Sequence, residues 1–205
     1  MPNRKMVMKK RELAPGIVVY SDVIENYTTL AQDIEEGLLN SGIKWTESSI
    51  RKDDIVQVDT DYRDTMVIDV PYKEYLVDDF ISLGHAFNSN LSNLFLSVFG
   101  PLELDYKASY QVETSIHEDY SILKYGVGQK YINHIDDHKD HNRRMSWVYY
   151  VNDDYTGGEI SFPRFSLTYK PLANELLIFP STYVYNHSVL PVIEGTRYSV
   201  VSWLT

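Results

Sequence analysis

Cysteine is absent from the chain. That removes disulfides, thiolate metal sites, iron–sulfur clusters and thiol nucleophiles together. No apolar run approaches the roughly 18 residues of a membrane span. The basic start, MPNRKMVMKKREL, is not followed by the apolar stretch that a signal peptide needs. The expectation is a soluble, cytoplasmic protein with a basic tail. Positive charge is also scarce: 19 Lys and Arg stand against 29 Asp and Glu, for a net charge of −10. Such a balance argues against neutralising phosphates, so no nucleic-acid partner is expected, and an acidic surface repels anionic lipid, so no membrane partner is expected. There is no internal repeat and no low-complexity tract, and the sequence carries no signal of oligomeric state.

What is present fits a globular chain. Its 205 residues, 43% hydrophobic and 23% charged, suffice for a single domain with a substantial core. Tyrosine is over-represented at 17 residues, and aromatic and β-branched residues crowd the second half, where they favour strands.

The first half carries two helical patterns. In NYTTLAQDIEEGLLNSG, Leu30, Ile34 and Leu38 recur every four residues; Thr29 with Gln32 has the form of a capping box, and Gly42 is a natural stop. A longer stripe runs through Leu76, Phe80, Leu83, Phe87, Leu91, Leu94 and Val98, with Gly100-Pro101 expected to end it. His85 falls off that stripe and reads as a surface residue. Residues 43–72 are ambiguous, with DTMVIDV their best strand candidate. From about residue 103, short runs such as YSILKYG, SWVYYVN, GEISFP, ELLIFPS and TRYSVVSWL follow one another between Gly, Pro, Asn or Asp, the texture of an antiparallel sandwich or barrel. The expected fold is α+β. Residues 1–102 form a helical part supporting the sheet, and 103–205 form a β core carrying the chemistry.

The stretch YINHIDDHKDH packs histidine and aspartate at metal-ligand density. The tripeptide His-x-Asp occurs three times, at His117/Asp119, His134/Asp136 and His138/Asp140. On a strand, alternate side chains share a face, so His-x-Asp aims both ligands one way. KYINHID alternates in this sense, with Ile132, His134 and Asp136 on one side. The pair His138/Asp140, with His141, sits in a loop without an apolar anchor and reads as surface. His117/Asp119 could begin a strand but lacks the surrounding punctuation.

That punctuation is YGVGQKYINHID, then YVNDDYTGGEISFP, then NHSVLPVIEGTRYSVVSW. Over about residues 119–204 these ordered segments resemble the catalytic core of the Fe(II)- and 2-oxoglutarate-dependent dioxygenases, in particular the prolyl 4-hydroxylase-like branch. The resemblance implies a double-stranded β-helix (jelly-roll) core with N-terminal helices packed on one sheet. It implies Fe(2+), 2-oxoglutarate and O2, with L-ascorbate as the reductant used by relatives. It also implies hydroxylation of an unactivated C–H bond, of a prolyl residue in a peptide or protein or of another side chain.

Ferrous iron in such enzymes takes two histidines and a carboxylate on one face, leaving the other positions open. His134 and Asp136 then supply two ligands, and His187 in VYNHSVLPV is the implied third. A 2-oxoglutarate molecule leaves one carboxylate to be neutralised in the barrel, a task suited to the planar fork of arginine. Beyond Lys170 the chain has one basic residue, Arg197, ten positions after His187, which is the family's offset. Alternation puts Arg197, Ser199, Val201 and Trp203 on one face of the last strand, where a cation is costly without an anion. Tyr125 is implied as a hydroxyl donor to the same distal carboxylate. Tyr150, Ser199 and Trp203 are further candidates around it. Gly157-Gly158 reads as a turn without chemistry.

Two departures bear on the substrate. Collagen-type enzymes commonly carry lysine where this chain has Arg197, and often threonine where it has Ile160. Asp136 argues against a halogenase, which gives up the carboxylate to make room for halide. Two rivals from other classes are a non-catalytic jelly-roll binding module and a zinc hydrolase built on the HIDDH cluster.

Overall fold

The computed structural model describes residues 8–25, 27–52, 55–70, 83–137 and 142–205, with the backbone alone for 51–52 and 83–86. An eight-stranded sheet dominates. Its strands run in the order Lys9–Ala14, Ile17–Ser21, Glu175–Pro180, Met145–Tyr150, Arg197–Leu204, Tyr120–Tyr125, Met66–Val70, Thr46–Glu47. A four-stranded sheet, ordered Leu167–Tyr169, Ile160–Phe162, His187–Val189, Tyr131–His134, faces it. The pairings within both sheets are antiparallel. Together they form a jelly roll, with helices against the outer face of the larger sheet.

Period-two alternation sorts the residues of the large sheet between two cores. Val18, Tyr20, Ile122, Trp147, Tyr149 and Val200 pack against the helices, while Val19, Leu123, Val148, Tyr150 and Val201 pack between the sheets. Helix α1, Leu30–Ser41, contributes Leu30, Ile34 and Leu38 to the outer core, as its spacing implies. It ends at Gly42, whose φ of 74° and N–H bond to the Leu38 carbonyl make a left-handed cap. The capping box does not form. Thr29 has helical dihedrals with no side-chain cap bond, and its hydroxyl donates to Asp33 instead.

Helix α2, Leu83–Tyr110, corrects a second expectation, because it continues through Gly100-Pro101. Proline removes one backbone donor and favours a break, but the buried stripe carries on beyond it. Phe95, Phe99, Leu102 and Tyr106 all face the sheet, and the Tyr106 hydroxyl donates to the Gly16 carbonyl at 2.7 Å. Tertiary packing outweighs the local penalty. The helix therefore crosses residue 102, and the chain before it also supplies four strands of the large sheet, Met66–Val70 within DTMVIDV among them. Leu76 and Phe80 lie outside the described residues, as do the side chains of Leu83 and His85.

Candidate metal and co-substrate site

His134 ends the strand Tyr131–His134 and His187 begins the strand His187–Val189, and the two stand directly opposite each other in the ladder. Their rings lie 4.3 Å apart between centroids. Asp136 comes two residues after His134, just past the strand, and turns the same way. Its Oδ1 lies 3.5 Å from His134 Nε2 and its Oδ2 3.7 Å from His187 Nε2. One ligand atom from each falls within 4.8 Å of the others, and all three residues are buried. Ile132, expected on the same face, is 38% exposed. Tyr131 instead packs on the site, its ring stacked on His134 at 3.5 Å and 13°.

Neighbouring groups fix how these ligands are presented. His134 Nδ1 donates to the Ile132 carbonyl at 2.8 Å and His187 Nδ1 to the Tyr185 carbonyl at 3.1 Å. A carbonyl only accepts, so each ring carries its proton on Nδ1 and aims the Nε2 lone pair at the cluster. Asp136 Oδ2 accepts from Ser146 at 2.7 Å, and Ser146 bonds to Ser181 at 2.7 Å. Burial would raise the Asp136 carboxyl, but His187, His134 and the Ser146 hydroxyl outweigh it and hold its pKa well below the usual range. Burial, together with His134, pushes His187 down to about 4. A neutral imidazole and an ionised carboxylate are the forms a metal needs. Two nitrogens and one oxygen, with no fourth His, Asp or Glu in the group among the described residues, match the open triad of ferrous sites.

The deep end is built around Arg197, which is 1% exposed. It sits opposite Tyr125 in the ladder, and its guanidinium carbon lies 5.0 Å from the Tyr125 ring and 5.1 Å from the Tyr150 ring. Nη1 donates to the Ser199 hydroxyl at 2.9 Å. No carboxylate among the described residues pairs with it, and the internal salt bridge that would have explained it as structural is absent there. Arg197 Nε and the hydroxyls of Tyr150 and Tyr155 are all buried without a hydrogen-bond partner. A buried, unpaired cation ringed by unspent donors suits an acceptor-only anion.

Both ends open on one cavity of about 340 Å³. His134, Asp136, His187, Tyr125, Arg197, Ser199 and Trp203 line it, and Tyr150 does not. The expected face of the last strand is thus present, since Val201 lines it too. Trp203, however, stands six residues from Arg197, roughly 20 Å along an extended strand. It packs under Arg143, whose guanidinium lies 3.7 Å from its ring centre and makes a two-pronged pair with Glu118. It belongs to the other end of the cavity.

Other histidines divide clearly. His117 is bound by Glu103 at 2.8 Å and by the Glu118 carbonyl at 2.7 Å, a structural pin between α2 and the sheet. His138, Asp140 and His141 lie outside the described residues. The sequence reading missed two neighbours of Arg197. A Cβ on Gly158, where φ is +65°, would lie 3.0 Å from both Arg197 Cδ and Tyr155 Cε2. Gly158 therefore makes room for the arginine as well as for the turn. Tyr155 gave a faint signal in sequence, an aromatic two places before the glycine pair.

Residues 120–205 match the family model described as the 2OG-Fe(II) oxygenase superfamily. The prolyl 4-hydroxylase subunit alpha-1 of Gallus gallus is 28% identical over 111 residues, 45% of this chain and 22% of that protein. A PKHD-type hydroxylase of Prochlorococcus marinus (strain MIT 9215) is 36% identical over 83 residues, 38% of this chain and 37% of the relative. The chain thus spans well under half the length of these curated relatives. The viral collagen prolyl hydroxylase of Paramecium Bursaria Chlorella virus-1, solved with 2OG, superposes with a TM-score of 0.61 at 16% identity, covering 92% of this chain and 95% of that one. A prolyl hydroxylase of Trichoplax adhaerens, solved with a hypoxia inducible factor peptide fragment, gives 0.62 at 18%, covering 92% and 83%. At these identities the structural likeness is one of fold.

Proposed function

We propose, on the premise that residues 120–205 form a 2OG-Fe(II) oxygenase domain, that the protein hydroxylates a prolyl residue of a peptide or protein. His134, Asp136 and His187 would hold Fe(II), and Arg197 would take the distal carboxylate of 2-oxoglutarate. The observation that carries this reading is the pairing, in one cavity, of an open His–Asp–His set with a buried guanidinium that lacks an anion.

When bound, the iron with 2-oxoglutarate and O2 supplies the oxidation, giving succinate, carbon dioxide and a C–H bond converted to C–OH. The chain's own residues do the orienting. The carbonyls of Ile132 and Tyr185 lock the two imidazoles in the ligating tautomer. Ser146 keeps Asp136 turned toward them. Arg197, with Ser199 and Tyr125 beside it, sets how deep a dicarboxylate can seat. Tyr131, stacked on His134 and approached by Arg63 at 4.9 Å from its ring centre, lines the cavity beside the ligand set. Prolyl substrates are favoured because the Gallus gallus relative is a prolyl 4-hydroxylase subunit. The departures at Arg197 and Ile160 keep a non-prolyl side chain as the second reading.

A panel of proline-containing peptides, supplied with Fe(II), 2-oxoglutarate and ascorbate, tests the proposal. Succinate release and a mass gain of one oxygen are expected from the wild type and not from Asp136→Ala. A wild-type protein that neither binds 2-oxoglutarate nor forms succinate would leave a binding module in its place.

A further inference from the structure

Behind Arg197 lies a second layer that the proposed reaction has not used. Tyr155 is 4% exposed, and its hydroxyl is buried without a partner. Burial pushes that hydroxyl's pKa up, and the neighbouring Arg197 guanidinium works against the rise by its charge and by a loose contact that falls short of full hydrogen-bond geometry. Arg197 Nε, also buried, likewise lacks a partner. A donor without an acceptor thus stands near a hydroxyl that can accept.

The ring is not free to turn away. The Lys170 ammonium sits 3.4 Å from its centre and donates to the carbonyls of Tyr155 and Gly157 at 3.0 and 2.9 Å. From the other side the bare Cα of Gly158 admits both the Tyr155 ring edge and Arg197 Cδ. Tyr155 is therefore clamped between one cation and the glycine that seats the other. Tyr155 does not line the cavity, so it has to act through the arginine and not on a ligand directly.

We propose that Tyr155 is a positioning residue that sets the chain's preference for a keto acid with a second carboxylate. When an anion draws the guanidinium, Nε–H donates to the Tyr155 oxygen, and the two unspent groups are satisfied together. The fork is then held edge-on to the carboxylate, the geometry that permits two parallel hydrogen bonds. The inference rests on Arg197 being the site of the distal carboxylate, and its test separates the two ideas.

The measurement is calorimetric binding with Mn(II) in place of iron, so that no turnover is needed. Two probes are compared: 2-oxoglutarate, and 2-oxobutyrate, which keeps the keto-acid end and lacks the far carboxylate. The wild type is expected to prefer 2-oxoglutarate strongly. Tyr155→Phe should weaken 2-oxoglutarate about tenfold, the worth of one hydrogen bond to a charged group, and leave 2-oxobutyrate within about twofold. Lys170→Met, which frees the ring but keeps the hydroxyl, should lower the preference by a smaller factor. A Tyr155→Phe protein that keeps the wild-type preference overturns the proposal. If that variant does not fold, an unchanged preference in Lys170→Met overturns it instead. A wild type with no preference between the probes overturns the assignment of Arg197 itself.

Discussion

Tyr149 and Tyr150 are neighbours on one strand and point to opposite faces of the large sheet. Tyr149 enters the core under the helices, where its hydroxyl donates to Asn174 at 3.1 Å. Tyr150 enters the core between the sheets, equally buried, and its hydroxyl has only Arg197 near it, without full hydrogen-bond geometry. The contrast extends beyond this pair. On the helix side Tyr20 and Tyr106 also find acceptors, at Asp105 and the Gly16 carbonyl. Between the sheets, Tyr150, Tyr155 and Arg197 Nε are left open together. An unmade buried hydrogen bond costs about 1–3 kcal/mol. The tyrosines named under the helices are paired, although Trp147 Nε1 is left open there, while the groups around Arg197 carry a clustered deficit that a ligand would relieve.

The comparison breaks most decisively at the proposed metal ligands. Replacing His134, Asp136 or His187 by alanine should abolish metal retention and succinate formation, read by metal analysis of dialysed protein, while thermal unfolding stays cooperative. If His138→Ala abolished metal binding and His187→Ala did not, the site would be the HIDDH cluster. Next comes Arg197→Met, which leaves the cavity shape but no cation. The affinity for 2-oxoglutarate should fall about a hundredfold or more, consistent with loss of a buried charge pair. Ser146→Ala should loosen the metal by roughly 10- to 100-fold, the usual effect of removing a group that orients a ligand.

The helix side should answer differently. Phe99 stacks with Phe95 and meets Trp147 edge-on at 4.6 Å, so Phe99→Ala should cost about 3–5 kcal/mol of stability. Metal affinity in the protein that remains folded should be unchanged. A large loss of metal would mean the two cores are not separable.

The smallest effect concerns pH. Folded His187 protonates at about 4 and the ordinary imidazole at 6.5. Between those values the unfolded chain binds more protons, so the stability of metal-free protein rises with pH across that window. Asp136, with its lowered pKa, adds a loss at still lower pH. Melting temperature should fall on acidification from 6.5 to 4, and His187→Gln should flatten the fall. Parallel curves for the two proteins would remove His187 as the cause.

The β half was legible because its signals are local. His134 and Asp136 share a face by alternation alone, and the face of Arg197, Ser199, Val201 and Trp203 follows from the same period. The spacing of short strands gave an antiparallel sandwich or barrel, and the resemblance made it a jelly roll. What escaped was set by long-range packing. Pro101 looks like a stop because its penalty is local, whereas the reward, Leu102 and Tyr106 against the sheet, is tertiary. The role of Gly158 depends on a residue 39 positions later meeting it in space. The capping box failed because Thr29 found Asp33 on the next turn. Trp203 shares a face with Arg197, but periodicity says nothing of how far along that face a ligand extends.

Asp136 follows a strand of the small sheet yet is held by Ser146, a residue of the large one. The ligand cluster is therefore a rivet through both walls of the barrel, and Arg197 is fixed to one of them. A five-carbon diacid gripped at both ends would act as a gauge block between rivet and wall. On the proposed reading, the span between that cluster and Arg197 would decide which diacid can be held at both ends.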